Sequence, residues 1–254
     1  MVDTKGIVIG QINGLSVYNL GDYSFGRPNR ITCETFMGIE GVVNIERKAR
    51  LSGSIHDKGV LILNGYIGTK FAQEKPLSLS ASIGFEQSYE MIDGDSASAA
   101  ELISLLSSLA EIPIKQNLAI TGSVNQKGQI QPIGGVNEKI EGFFDICNEI
   151  GITGDQGVII PHQNIKNLML KKEVLDAVNQ MKFHIYSIED IDQGIELLTD
   201  VEAGTRGKNG KFKENTFNFK VDNKLRELAI GHRRFGRPTP KKDIDEDEYN
   251  NNNI

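Results

Sequence analysis

Two short strings in this sequence hold side chains suited to covalent catalysis. In Asp93-Gly94-Asp95-Ser96-Ala97-Ser98, small, turn-forming residues run into an apolar-periodic segment, which places the Ser96 hydroxyl in the first turn of a helix. The first N–H groups of a helix have no intrahelical acceptor and carry the positive end of its dipole, so they can stabilise negative charge beside that hydroxyl, as an oxyanion hole requires. The same composition suits ordinary caps, with Asp95, Ser96 and Ser98 closing the helix N-terminus, and these six residues alone favour that plainer reading. In Gly134-Gly135-Val136-Asn137-Glu138-Lys139, a diglycine turn delivers Lys139 into the opening turn of a second helix. A cation there opposes the dipole, and the placement helps depress the lysine pKa toward the range of a general base. A lone lysine is nonetheless far more often a solvated surface residue. Thr121 reads as a β-branched residue at the centre of a strand, and Asp93 as a turn residue.

The elements that must position these residues follow from hydrophobic period and turn chemistry. Residues 6–18 and 30–50 are rich in Val, Ile and Thr and punctuated by glycines, which predicts an antiparallel start. Val60, Leu61, Ile67 and Phe71 suggest a helix over 57–73, and Leu77, Leu79, Ala81 and Ile83 a strand after it. Leu102, Leu105, Leu106 and Leu109 fall at helical spacing and predict a helix over 95–110. Strands are expected at 118–124 and 129–133, a helix from Gly134-Gly135 to Gly151, a strand at 157–160, helical residues at 164–180, a strand at 183–188 and a helix at 189–198. Antiparallel strands first and alternation later make this an α+β domain.

Charge divides the chain. Residues 1–203 carry 16 basic and 26 acidic side chains, 204–242 carry 12 and 3, and 243–254 carry none and 5. That distribution predicts a domain over 1–203 and a charged, largely disordered tail over 204–254, with a short helix near 221–230. The basic stretch is the one candidate for nucleic acid, although acidic residues from Asp243 onward can neutralise it and favour a solvated tail. Two cysteines make no disulfide framework and fit a reducing, cytoplasmic setting, and no apolar run approaches a membrane span. The four histidines are scattered without a zinc-protease spacing, so no metal is expected.

Taken together, Asp93 to Ser98 and Gly134 to Lys139, 43 residues apart from Ser96 to Lys139, resemble the nucleophile and lysine motifs of B-type Lon proteases. The resemblance extends through GRPNRIT at 26–32, IHDKGVLILNGY at 55–66, FEQSY at 85–89 and TGSVNQKGQIQPIGGVNEKIEGFFDIC at 121–147, covering roughly residues 8–203. It reverses the plainer readings. It implies a Lon-type proteolytic domain similar in fold to the second domain of ribosomal protein S5, and a serine endopeptidase with Ser96 as nucleophile and Lys139 as base. It further implies Thr121 as a hydrogen-bonding neighbour of the lysine, Asp93 as an acid that pairs with the lysine in inactive forms, and Asp95 as a supporting residue. Substrates would be unfolded polypeptides and the assembly a hexameric ring. The phosphate loop of the family's ATPase is missing: Gly204 to Lys211 has the wrong spacing. No cofactor is therefore expected in this chain, and ATP with magnesium would belong to the ATPase module of a longer parent from which this chain is an excised or truncated part. The competing reading is a non-catalytic S5-like scaffold.

Overall fold

The computed structural model describes residues 2–235. In chain order the elements are β1 (Ile7–Val8), β2 (Gln11–Asn19), β3 (Ser24–Met37), β4 (Gly41–Asn44), α1 (Ile45–Ala49), α2 (Ser54–Phe71), β5 (Leu79–Phe85) and α3 (Ser98–Ala110). There follow β6 (Ile114–Lys115), β7 (Leu118–Ile120), β8 (Ser123–Val124), β9 (Ile130–Gln131), α4 (Val136–Ile150) and β10 (Gln156–Pro161). A 3-10 helix (His162–Asn167), α5 (Lys172–Asn179), β11 (Phe183–Ile188), α6 (Ile191–Thr199) and α7 (Phe217–Phe235) complete the order.

Seven strands form one mixed sheet in the order β11-β10-β7-β2-β3-β5-β4. Its β2-β3-β5 part is antiparallel, while β7, β10 and β11 run parallel and receive helical crossovers, the two regimes expected of an α+β chain. A main core gathers α2, α3, α6 and α7 against the sheet, and a second one gathers Val136, Ile140, Phe143, Phe144 and Cys147 of α4 with Val158, Ile160 and Phe183. α3 lies in the middle. Apolar on nearly all sides, it buries Leu102, Ile103, Leu105, Leu106 and Leu109, as a helix enclosed by other elements must.

Several expectations change. On α2, Val60, Ile67 and Phe71 are buried, but Leu61 points outward and Leu63 takes its place on the packed face. The predicted helix over 164–180 is two pieces, because Leu168 to Lys171 has no regular structure and separates the 3-10 helix from α5. The end of the segment 30–50 folds as the short helix α1, capped by the Asn44 side chain accepting from the Arg47 N–H.

The largest difference concerns the expected tail. From Gly204 to Phe235 the chain is packed on the domain, and a helix predicted as short runs 19 residues. Phe217, Val221 and Leu225, spaced by four, enter the main core at 1 % exposure or less. Each such burial stabilises by roughly 1.5–3 kcal/mol. Beneath them Asp222 holds Lys75 at 2.5 Å and Arg226 at 3.0 Å, while Arg206 donates to the Lys70 carbonyl at 2.6 Å. Lys213, Lys224 and Arg226 pair with Glu202, Glu111 and Glu74 of the domain and Arg206 with Asp222 of α7, so part of the basic excess is spent internally. The boundary read at residue 203 came from composition, which averages away a stripe of three apolar residues. Residues 236–254, with their acidic run, lie outside the described residues.

Candidate active site

Ser96 and Lys139 are brought together by three separate elements. α4 starts at Gly135, whose φ of 67° suits glycine, and Lys139 closes the first turn by donating its N–H to the Gly135 carbonyl. The residue exposes only 3 % of its surface. Ser96 sits two residues before α3 in a tight turn, not in the first helical turn predicted for it. The link between β7 and β8 holds that turn. Gly122 N–H and Thr121 Oγ1 both donate to the Ser96 carbonyl, at 2.8 and 3.1 Å, and Ala99 N–H donates to the Gly122 carbonyl. Thr121 therefore stands just past the end of β7 instead of mid-strand, where its hydroxyl is free to act.

The result is a short chain of polar atoms. Lys139 Nζ lies 2.7 Å from Ser96 Oγ and 3.1 Å from Thr121 Oγ1. Because Thr121 spends its proton on the Ser96 carbonyl, its oxygen must accept from the lysine, which leaves the remaining Nζ valences facing Ser96. Burial pushes the Lys139 pKa down to about 8, partly opposed by the nearby charges of Asp95 and Glu138. Asp95 does not touch the lysine: its carboxylate accepts from Ser123 Oγ at 2.8 Å.

Asp93, which the resemblance pairs with the lysine in inactive forms, has other partners here, where Lys139 reaches Ser96. Its Oδ1 accepts the N–H groups of Gly94, Ile55 and His56 at 2.8, 3.2 and 3.4 Å, so it caps α2 and does not pair with Lys139. Those donors, the Gly94 N–H first, hold its carboxyl below the usual range. Ser98 is also occupied, accepting the Val124 N–H at 3.0 Å. At the start of α3 the Ser98 and Ala99 N–H groups are committed to the carbonyls of Asp95 and Gly122. Among the described residues those of Ser96 and Ala97 have no protein acceptor, and they remain as donors for an oxyanion.

An open strand edge runs along β2. β7 pairs with β2 only at Asn13 and Gly14, so Ser16 to Asn19 present an unpaired strand edge beside Ser96. A cavity of about 230 Å³ lined by Leu15, Tyr18, Phe85, Met91 and Ser96 opens on one side of the serine. Another of about 420 Å³, lined by Val17, Gly135 and Lys139, opens on the other. A larger cavity of about 1120 Å³ near Lys115, His184 and Asp200 reaches neither member of the pair.

Two glycines that the sequence does not single out set where Lys139 stands. A Cβ on Gly26 of β3 would lie 1.9 Å from the Glu138 carbonyl oxygen and 2.7 Å from Lys139 Cα, and one on Gly142 would lie 2.1 Å from the Gly26 carbonyl oxygen. α4 thus rests backbone to backbone on β3 directly behind the lysine. The expected outcome for Gly26→Ala is a loss of roughly 1–3 kcal/mol in chemical denaturation, as for other overpacked sites, with at least a tenfold loss of any Lys139-dependent activity in the still folded fraction. A variant with unchanged activity would show that α4 does not need this seat.

Among the described residues no helix is long and apolar enough to cross a membrane, and no group of three or more His, Cys, Asp or Glu side chains is placed to hold a metal.

Residues 90–199 match the family model of the Lon protease (S16) C-terminal proteolytic domain. The chain is 47 % identical over 203 residues to a protein named putative Lon protease homolog from Escherichia coli, covering 79 % of this chain and 35 % of that protein. It is 49 % identical over 199 residues to one of the same name from Haemophilus influenzae, covering 78 % of this chain and 33 % of the other. With an archaeal Lon protease from Thermococcus kodakarensis the identity is 31 % over 212 residues, or 78 % of this chain and 28 % of that protein. The chain spans about a third of the length of the first two relatives. With the matched segment containing Ser96, Thr121 and Lys139 and the fold built around it, the chain carries the proteolytic domain of the Lon protease (S16) family.

Proposed function

We propose that this domain hydrolyses peptide bonds through a Ser96-Lys139 dyad, and that its substrates are unfolded polypeptides taken up in extended form. The observation that carries this reading is a lysine 3 % exposed with its Nζ 2.7 Å from a serine hydroxyl. With a pKa of about 8, roughly a tenth of Lys139 is neutral at pH 7, against about one molecule in 3,000 for an unperturbed lysine.

Neutral Lys139 accepts the Ser96 proton as Oγ attacks the substrate carbonyl carbon, and the Ser96 and Ala97 N–H groups hold the oxyanion. The C–N bond breaks as the lysine ammonium returns the proton to the leaving amine, leaving an acyl-serine. Water then enters, gives a proton to Lys139 and attacks the ester, and the acid departs as Ser96 Oγ recovers a proton. The free edge of Ser16 to Asn19 supplies backbone donors and acceptors that pair with any sequence, which suits a substrate chosen for being unfolded.

ATP and magnesium, ring assembly and a cytoplasmic location belong in this reading to the longer protein. A fluorogenic peptide and an unfolded protein are expected to be cleaved slowly by this chain, equally with and without ATP. Stimulation by ATP would contradict the assignment of nucleotide binding to another module, and no cleavage at any pH from 7 to 9 would favour the scaffold reading.

A further inference from the structure

Behind the nucleophile turn lies a group of three ionisable side chains that the dyad does not use. His56 on α2, Glu101 on α3 and Glu46 on α1 expose 1, 1 and 4 %, in the wall between the main core and the Ser96 turn. His56 Nε2 faces Glu101 Oε1 at 3.5 Å, and its ring packs edge-on against Phe85 with centroids 5.6 Å apart. The other side of the ring meets the carbonyl of Gly94, two residues before Ser96, while the His56 backbone N–H is held by Asp93. Glu101 belongs to the first turn of the helix that follows Ser96. One imidazole therefore touches the chain on both sides of the nucleophile.

Among the described residues no cation balances this group. The charged or titratable groups facing His56 are Glu46, Asp57, Asp93 and Glu101, and those facing Glu101 are Glu46 and Cys33, with Asn44 Nδ2 as a neutral donor at 3.3 Å. Burying one carboxylate without a counter-charge costs several kcal/mol, and a second one beside it costs more, so the acid keeps its proton. A protonated Glu101 has one O–H to give. Two polar atoms of this group are left without a partner, His56 Nε2 and Glu46 Oε2, and Glu101 Oε1 faces the first of them at 3.5 Å.

We propose that Glu101, as a neutral carboxylic acid, donates to His56 Nε2, and that His56 donates through Nδ1 to the Gly94 carbonyl, a buried relay that positions the Ser96 turn for proton transfer to Lys139. This rests on the Ser96-Lys139 reading. Glu101 and His56 are positioning residues and touch no substrate. Burial and the Glu46 charge push the Glu101 pKa up to about 8, and burial lowers that of His56, so both are in the states the relay needs at pH 7. Above about pH 8 the acid ionises, the O–H is lost, and a buried negative charge faces the imidazole lone pair. The relay thus opens in the pH range where Lys139 becomes a better base, and the two opposing titrations give wild type a bell-shaped rate profile.

Peptide hydrolysis by wild type and Glu101→Gln across pH 6–10 tests this, because the amide keeps a donor toward His56 and cannot ionise. The variant should retain wild-type kcat at pH 7 within about threefold and, unlike wild type, hold its rate to pH 10. His56→Ala should lower kcat about tenfold or more with KM within about twofold. A Glu101→Gln profile superimposable on wild type would overturn the proposal, since a purely structural Glu101 would leave the alkaline limb in place. A readout independent of activity is the carboxyl ¹³C shift of Glu101 in wild type, expected to titrate near pH 8 together with the amide resonances of Gly94 and Ser96. Titration in the ordinary carboxylate range, or a Gly94–Ser96 turn that ignores it, would refute the relay even if no variant folds and no peptide is cleaved.

Discussion

Replacing Lys139 by Met should abolish peptide cleavage while leaving the domain at least as stable at pH 7. Loss of a general base costs about 10²- to 10⁴-fold in rate. The stability half follows from burial. The lysine pKa falls from 10.5 to about 8 on folding, so the unfolded chain binds the proton more tightly. Folding is therefore penalised at every pH below about 8, on the order of 3 kcal/mol at pH 7, and the penalty fades as pH rises from about 8 to 10.5. Met keeps the apolar stem and removes the penalty. It strands no carboxylate, since Asp95 is satisfied by Ser123 and Asp93 by the start of α2. A lysine serving instead as a charged structural partner would lose roughly 3–5 kcal/mol on the same change. Chemical denaturation at pH 7 and 10.5 separates the two, because only a depressed lysine predicts that the Met variant's advantage shrinks at the higher pH.

Ser96→Ala should remove the covalent route, lowering hydrolysis by about 10³-fold or more, the scale on which nucleophile deletions act. The backbone of the turn keeps its bonds from Gly122 N–H and Thr121 Oγ1, so thermal melts should shift by only a few degrees. The neighbouring serines offer no substitute, Ser98 Oγ accepting from Val124 N–H and Ser123 Oγ donating to Asp95. Activity retained by the alanine variant would mean another nucleophile, and the geometry around Lys139 would need a different purpose.

What the sequence makes legible here is local periodicity and turn chemistry. α4 was readable because Ile140, Phe143, Phe144 and Cys147 lie on one face and Gly135 and Gly151 bracket them; β11 was readable as an apolar run between polar turns. The strings around Ser96 and Lys139 were readable only jointly, since each alone suits a cap or a surface lysine. Other features depend on who meets whom across the fold. The α7 stripe of Phe217, Val221 and Leu225 is diluted by the six other residues between its ends and by basic neighbours, so composition hid it. Gly26 and Gly142 look like any turn or helix glycine until β3 and α4 are seen in backbone contact. His56 and Glu101 lie 45 residues apart on helices whose crossing no single-sequence pattern reports, yet a charged residue in the first turn of the otherwise uncharged α3 was the available signal. Asp93 shows the converse: its position in the motif was right to notice, but its partner is the nearest helix start, a better-placed set of donors than a lysine across the groove.

The central claim is that buried Lys139 activates Ser96. Labelling with a serine-reactive phosphonate, followed by mapping of the modified peptide, tests it without needing a substrate. A single adduct on Ser96 is expected, formed faster as pH rises from about 6 toward 8, absent in Ser96→Ala and slowed at least a hundredfold in Lys139→Met. An adduct that persists in Ser96→Ala, or one on Ser96 that forms at a rate indifferent to pH and to the loss of Lys139, would contradict it.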